Sequence, residues 1–176
     1  MRVSIIRHAK VDMQWPKSCT SDEFVQACRN YDRAGIVTLQ ETSDLLSTNI
    51  YTSELIRTQQ TAQQLFPLQT YQVDSRLNEV PLTAAFSFKI KLPLVFWNTM
   101  GRLQWLFNSS KQEGIRASKL RAAKFCDDLI YRNEDAILIT HGFFMLTLLK
   151  ELKKKGFAIK NKSLTFNNLQ VIEAEK

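Results

Sequence analysis

The chain has only two histidines, His8 and His141, and each stands just behind a short apolar run that reads as a buried β-strand. The space beyond the carboxyl ends of strands, beside the first amides of the following helices, is where an α/β sheet gathers its ligands. A histidine used only for packing has no reason to choose that place twice. Arg7 precedes His8, Arg57 sits in the first turn of a helix behind another strand, and Glu79 follows a further strand candidate within Arg76-Leu77-Asn78-Glu79-Val80. Two arginines, two histidines and a carboxylate at strand ends, with no cluster of metal ligands, fit a pocket for a phosphoryl group that has its own proton donor.

Those side chains need a scaffold, and the apolar periodicity supplies one. Strands are expected at Arg2 to Ile6, Asn49 to Tyr51, Thr70 to Val73, Ala136 to Thr140 and Leu164 to Ile172. Helices are expected at Ile36 to Leu46, at Ser53 to Phe66 with Thr52/Ser53 as its start and Glu54 in its first turn, at Lys111 to Tyr131, and at Phe143 to Lys155 closed by Gly156. Strands alternating with helices indicate an α/β fold, a three-layer α/β/α sandwich with a mostly parallel central sheet. The whole chain, 1–176, is expected to form one domain, with a lid-like, aromatic-rich insertion at about 81–108 that holds Phe86, Phe88, Phe96, Trp97, Trp105 and Phe107. Within it Ala85 to Leu92 alternates apolar and polar residues, which reads as extended chain with one face buried; Trp97, Gly101-Arg102 and Trp105 suggest a helix over the pocket mouth.

With 176 residues, 44% hydrophobic and 23% charged, the composition is that of a globular protein and excludes disordered, collagen-like and disulfide-stapled classes. No apolar run approaches the ~20 residues that cross a bilayer, and Arg7 and His8 interrupt the stretch a signal peptide would need, so a cytoplasmic location is expected. Cys19, Cys28 and Cys126 form no CxxC pair, which suits reduced thiols and no structural metal. The net charge of +7 gathers at Lys150, Lys153, Lys154, Lys155, Lys160 and Lys162. Lysines in a last helical turn complement the helix dipole, and no base-reading element accompanies them, so nucleic acid is not an expected partner.

The ordered set RHA, TSELIRTQQTA, LNE and THG resembles the histidine phosphatase superfamily in its phosphoglycerate-mutase-like branch, from about Arg2 to about Gly156. The resemblance implies that His8 is the nucleophile that becomes a phosphohistidine, that Arg7, Arg57, His141 and Gly142 bind the phosphate, and that Glu79 protonates the leaving oxygen. It implies no cofactor and no metal. Phosphoryl transfer asks for an in-line nucleophile and positive groups on the equatorial oxygens, a need met by Arg7, Arg57 and a protonated His141. The arginines favour a neutral His8, and Glu79 has to hold a proton, helped by an acidic working pH. Ala9 stands where the family carries glycine; its methyl group would crowd any phosphate that its amide approached closely.

The function implied is a metal-independent phosphomonoester hydrolase, a histidine acid-type phosphatase, since the length leaves little room for the insertions of mutases. The alternatives are a mutase-like phosphotransferase and a non-catalytic module that binds phosphate or a phosphoprotein. Lys10 and Arg33, with Lys17, offer contacts to a second anionic group, while the aromatic insertion offers an apolar wall. The expected partner is a small phosphate ester, with sugar phosphates, nucleotides, phosphorylated acids and phosphoproteins all open. No membrane contact and a monomer or homodimer are expected.

Overall fold

The computed structural model describes residues 1–45, 49–161 and 165–176. Its strands are β1 (Arg2–Arg7), β2 (Ser18–Cys19), β3 (Asn49–Thr52), β4 (Gln72–Val73), β5 (Leu92–Pro93), β6 (Ala136–Thr140), β7 (Ala158–Ile159) and β8 (Val171–Glu175). Its helices are α1 (Ser21–Arg33), α2 (Ile56–Leu65), α3 (Leu94–Leu106), α4 (Ile115–Arg132) and α5 (Gly142–Lys154). Six strands form one sheet in the order β4-β3-β6-β1-β8-β7, and β2 pairs with β5 apart from it. The four strands from β4 to β1 run parallel, whereas β8 is antiparallel to β1 and β7 to β8, so the sheet is mixed.

Side-chain alternation assigns the two faces. Val3 and Ile5 of β1, Tyr51 of β3 and Leu138 of β6 share a core with Ala122, Phe125, Phe144 and Leu148 of α4 and α5. Their neighbours Ile6, Ile50, Ile137 and Ile139 point the other way and pack on Ala62 and Leu65 of α2. A third cluster lies outside the sheet, where Trp97 of α3 stacks on Phe24 of α1 and its indole N–H donates to the Cys19 carbonyl at 2.9 Å.

Local chemistry accounts for several helix ends. Thr20 and Glu23 form a reciprocal capping box at the start of α1. At the end of α5 Gly156 takes a φ of 92°, which glycine adopts without strain. No helix is long and apolar enough to cross a membrane among the described residues.

The helix expected from Lys111 begins at Ile115, the strand expected from Thr70 begins at Gln72, and four further elements differ. The stretch Ile36 to Leu45 is not a helix, because its amides are taken elsewhere: Ile36 N–H by Gln60 Oε1, Val37 N–H by the Lys10 carbonyl, Leu39 N–H by Gln64 Oε1 and Ser43 N–H by the Leu65 carbonyl. The expected last residue, Leu46, lies outside the described residues. Ser53 and Glu54 precede α2, whose cap is Leu55. The final strand starts at Val171 rather than Leu164, which also lies outside the described residues; 166–170 are spent on contacts to Arg7 and His8. Ala85 to Leu92 buries no apolar face, with Phe86, Phe88 and Ile90 exposed, and only Leu92 enters a strand.

Candidate active site

Three neighbouring parallel strands end within one residue of one another. Arg7 is in register with Thr140 and Thr52 with Ile139, so His8 and His141 emerge side by side and Ser53 follows its strand one residue short of them, level with Thr140. The His8 amide donates to the Thr140 carbonyl at 2.9 Å, and the two imidazole centroids are 5.1 Å apart. A cavity of about 840 Å³ opens over these ends and is lined by Arg7, His8, Arg57, Glu79 and Gly142 together with an apolar rim that includes Trp15, Leu82 and Phe143.

His8 is buried and its ring is oriented by one bond: Nδ1 lies 2.7 Å from the Ala9 carbonyl, an acceptor, so Nδ1 carries the hydrogen. Nε2 is left with a free lone pair. Asn168 fixes the backbone by donating to the His8 carbonyl at 2.8 Å. Burial lowers the His8 pKa to about 3; the Ala9 bond opposes this, and Arg57 and Arg7 reinforce it. The ring is therefore neutral, as a nucleophile must be.

Arg7 gives one end of its guanidinium to the Phe166 carbonyl. Its Nε is buried and has no hydrogen-bond partner among the described residues. A buried donor of this kind needs an acceptor, and a phosphoryl oxygen in the cavity would be one. Arg57, 1% exposed, donates from Nε to His141 Nδ1 at 3.2 Å and from Nη1 to Asp32 at 3.0 Å, and lies 4.8 Å from the Tyr31 ring centre.

Glu79 occupies the start of α5. Its Oε1 accepts the Val80 and Phe144 amides at 2.9 Å each, and its Oε2 accepts the Phe143 amide at 3.3 Å. Arg76 does not engage it, being paired with Asp74 at 2.6 Å and Asp128 at 2.5 Å.

His141 departs from the expected protonated form. It is fully buried, and burial, then Arg57, His8, Arg121 and Arg7, drive its pKa well below the usual histidine range. The Ala9 amide donates to Thr61 Oγ1 at 3.0 Å, and its methyl group is buried. Lys10 and Arg33 are exposed and do not line the cavity.

Residue types alone did not single out Asp32, Ser53 or Arg102. Arg102 of α3 lines the cavity, donates to the Val80 carbonyl at 3.2 Å and lies 3.7 Å over the Phe143 ring. Burial pulls its pKa below the ordinary arginine value, with Glu79 acting in the other direction. Ser53 is part of the TSELIRTQQTA run, where a serine ahead of a helix reads first as a cap.

Comparison with solved structures returns the same fold. The alpha-ribazole phosphatase from Shigella flexneri is 18% identical, with 98% of this chain and 96% of that one covered, at a TM-score of 0.52. A mycobacterial glucosyl-3-phosphoglycerate phosphatase is 18% identical over 87% of this chain and 79% of its own, at 0.53. The Mycobacterium tuberculosis protein of open reading frame Rv3214 is 11% identical over 98% and 89%, at 0.60. At such identities the likeness is one of fold. No curated protein sequence matches. A family model does match, over residues 37–175, taking in Arg57, Glu79, His141 and Gly142 and beginning after Arg7 and His8. The match assigns no acid-type activity. It covers most of the chain, and it makes this protein a member of the histidine phosphatase superfamily, branch 1.

Proposed function

We propose that the chain is a metal-independent phosphomonoester hydrolase that works through a phosphohistidine on His8. The observation that carries this reading is the free lone pair of His8 Nε2 at a cavity lined also by Arg7, whose buried Nε has no partner among the described residues. In the first step Nε2 attacks phosphorus, the bond from phosphorus to the ester oxygen breaks, and the proton held on Glu79 goes to the departing alcohol. In the second, water attacks the phosphohistidine, Glu79 takes its proton, and phosphate leaves with His8 restored. Arg7 and Arg57 hold the equatorial oxygens, where charge builds in the transition state.

The substrate is a small phosphate ester. The apolar rim of Trp15, Leu82 and Phe143 suits a leaving group with an apolar face, and Arg102 suits one with a further acceptor. Two proteins of the same fold carry phosphatase names, which agrees with the reaction class. The reading treats 1–176 as one catalytic domain in the cytoplasm, with 81–108 as the lid, which meets the cavity through Pro81, Leu82 and α3. Nucleic acid has no place in it: Lys154 pairs with Glu151, Lys155 with Asp127 and Lys160 with Glu175, while Lys162 lies outside the described residues.

The test is hydrolysis of an aryl phosphate between about pH 5 and pH 8 in the presence of a chelator, a range that brackets histidine and raised carboxylate pKa values. Turnover by the native chain that vanishes in His8→Ala is the expected result. Equal turnover in both proteins, or none in the native chain, would overturn it.

A further inference from the structure

Eight cations and one carboxylate, Glu113, fall within residues 81–126, an excess as large as the net charge of +7 for the whole chain. Glu113 is spent on Arg121 at 2.7 Å. Lys91 reaches Glu23 at 3.6 Å, while Lys89, Arg116, Lys119 and Lys124 are exposed and meet no carboxylate among the described residues. The helix dipole does not call for them. Arg116 and Lys119 stand near the amino terminus of α4, the end at which a cation is unfavourable, and no acid stands in its first turn.

The same segment leaves large apolar side chains in water. One side of α3 abuts the preceding loop: Trp97 meets the Phe88 ring at 6.2 Å, a Cβ on Gly101 would meet Leu82, and Gln104 donates to the Ala85 carbonyl at 3.4 Å. A second side, Leu94, Asn98 and Arg102, lines the cavity. The third side, Val95, Leu103 and Leu106 with Phe107 at the cap, is exposed, Val95 to 73% and Phe107 to 77%. A helix at an ordinary surface turns polar residues outward, and α3 has no charge besides Arg102. Beside it the rings of Phe86 and Phe88 stack at 5.6 Å and stay exposed, while Ser21 pins their backbone by exchanging amide bonds of 3.2 Å with Phe88. The apolar and cationic sets meet at the end of α3. Lys111 Nζ joins Gln104 on the Ala85 carbonyl at 2.9 Å, and Asn108 Oδ1 accepts the Arg116 amide at 3.0 Å, which gathers Phe86, Phe107, Lys111 and Arg116.

We propose that this face, the outer side of α3 with the loop 86–91 and the start of α4, seats on an anionic bilayer surface. Aromatic and aliphatic side chains enter the boundary below the headgroups, and the cations beside them reach the lipid phosphates. Charge speaks against a second copy as the cover, because a two-fold contact would set this cationic face against itself. Nucleic acid would use the cations and leave Val95, Leu103 and Phe107 in water. The expectation of no membrane contact rested on the lack of a spanning segment, which a helix lying on the surface does not need. Since α3 also lines the cavity, docking brings the cavity mouth to the bilayer.

The test is co-sedimentation of the whole chain with vesicles that mix phosphatidylglycerol with phosphatidylcholine and with vesicles of phosphatidylcholine alone. Binding to the mixed vesicles and none to the neutral ones is expected. Lys89→Ala and Arg116→Ala should each weaken it about fivefold, the scale of one cation at an anionic surface, and Phe107→Ser about tenfold or more. Lys150→Ala, in the other lysine cluster, should change nothing. All four side chains are exposed, so thermal melts should show the fold intact. No binding to the mixed vesicles would overturn the proposal. So would an equal loss in Lys150→Ala and Arg116→Ala, which means adsorption by net charge alone, or binding that Phe107→Ser leaves unaltered. A dimer in sedimentation equilibrium that Phe107→Ser dissolves would assign the face to a second copy, and binding to duplex DNA in place of vesicles would assign it to nucleic acid.

Discussion

A Cβ added to Gly142 would stand 3.1 Å from Nε of Arg7 and 3.3 Å from its Cζ, so the missing side chain at the start of α5 is what gives the guanidinium its place. The far end of Arg7 is tied to the Phe166 carbonyl, which limits how it can swing aside. Gly142→Ala should therefore misplace the one buried Nε that awaits an acceptor. Losing a charge-assisted bond of this kind costs about 1.5–3 kcal/mol, or roughly 10- to 100-fold in kcat/KM. The melting temperature should hardly move, because alanine is the better helix former by up to about 1 kcal/mol. Steady-state kinetics beside a thermal melt decides it, and unaltered kcat/KM would remove Arg7 from the phosphate site.

On the proposed reading Asp32 competes with substrate for Arg57. Its carboxylate, half exposed, holds Nη1 at 3.0 Å, and an incoming phosphoryl group seeks the same cation. Asp32→Asn keeps the shape and removes the charge. Inhibition by inorganic phosphate should tighten about three- to tenfold, the scale of a partly screened ion pair. A weaker inhibition would mean that Asp32 holds Arg57 ready instead.

The residue in the family's glycine position should tolerate that glycine. Ala9 donates its amide to Thr61, which in turn donates to the Arg57 carbonyl at 2.6 Å, so the first motif is tied to the helix that carries Arg57. Ala9→Gly should alter kcat/KM by less than about twofold, as the Ala9 amide is already committed to Thr61. Thr61→Val keeps the volume but strands the buried Ala9 amide, at a cost of about 1–3 kcal/mol in urea denaturation. A large gain in activity from Ala9→Gly would show the methyl group to be in the way after all.

Stability should fall with acid before the carboxylates begin to titrate. His8 is lowered from 6.5 to about 3 and His141 is lowered as well, so in the unfolded chain both take up protons that the folded chain refuses. Between those values the unfolded state binds more protons, and the free energy of unfolding declines as pH falls below about 6.5, by up to about 1.4 kcal/mol per pH unit for each histidine. Urea midpoints at about pH 7, 6 and 5 would measure the slope, and His8→Asn should remove about half of it. A flat profile in the native protein would mean that the rings are charged when folded.

The site was legible where residue type and strand end coincide. His8 and His141 follow β1 and β6, whose apolar runs cannot be mistaken, and both residues come together with Arg7, Arg57 and Glu79 as the ordered motifs implied. What could not be read was which groups answer one another across the chain. The segment after Ile36 has apolar spacing suited to a helix, yet Gln60 and Gln64 on α2 take its amides. A protonated His141 was a sound inference from chemistry alone; burial and the bond from Arg57 reverse it. Asp32 carries no signature, and Ser53, though inside the TSELIRTQQTA run, reads first as a helix cap.

The strand that delivers Arg7 and His8 lies in the middle of the sheet, with Val3 opposite Ala136 on one side and Ala174 on the other. During synthesis on the ribosome, β1 therefore waits for most of the chain before either neighbour exists. Pairings so distant in sequence close slowly, and until they close Val3, Ile5 and Ile6 are bare to any other strand nearby. The reactive corner thus cannot be assembled until β6 has been made, and chains shorter than that should be clients of chaperones rather than weak catalysts.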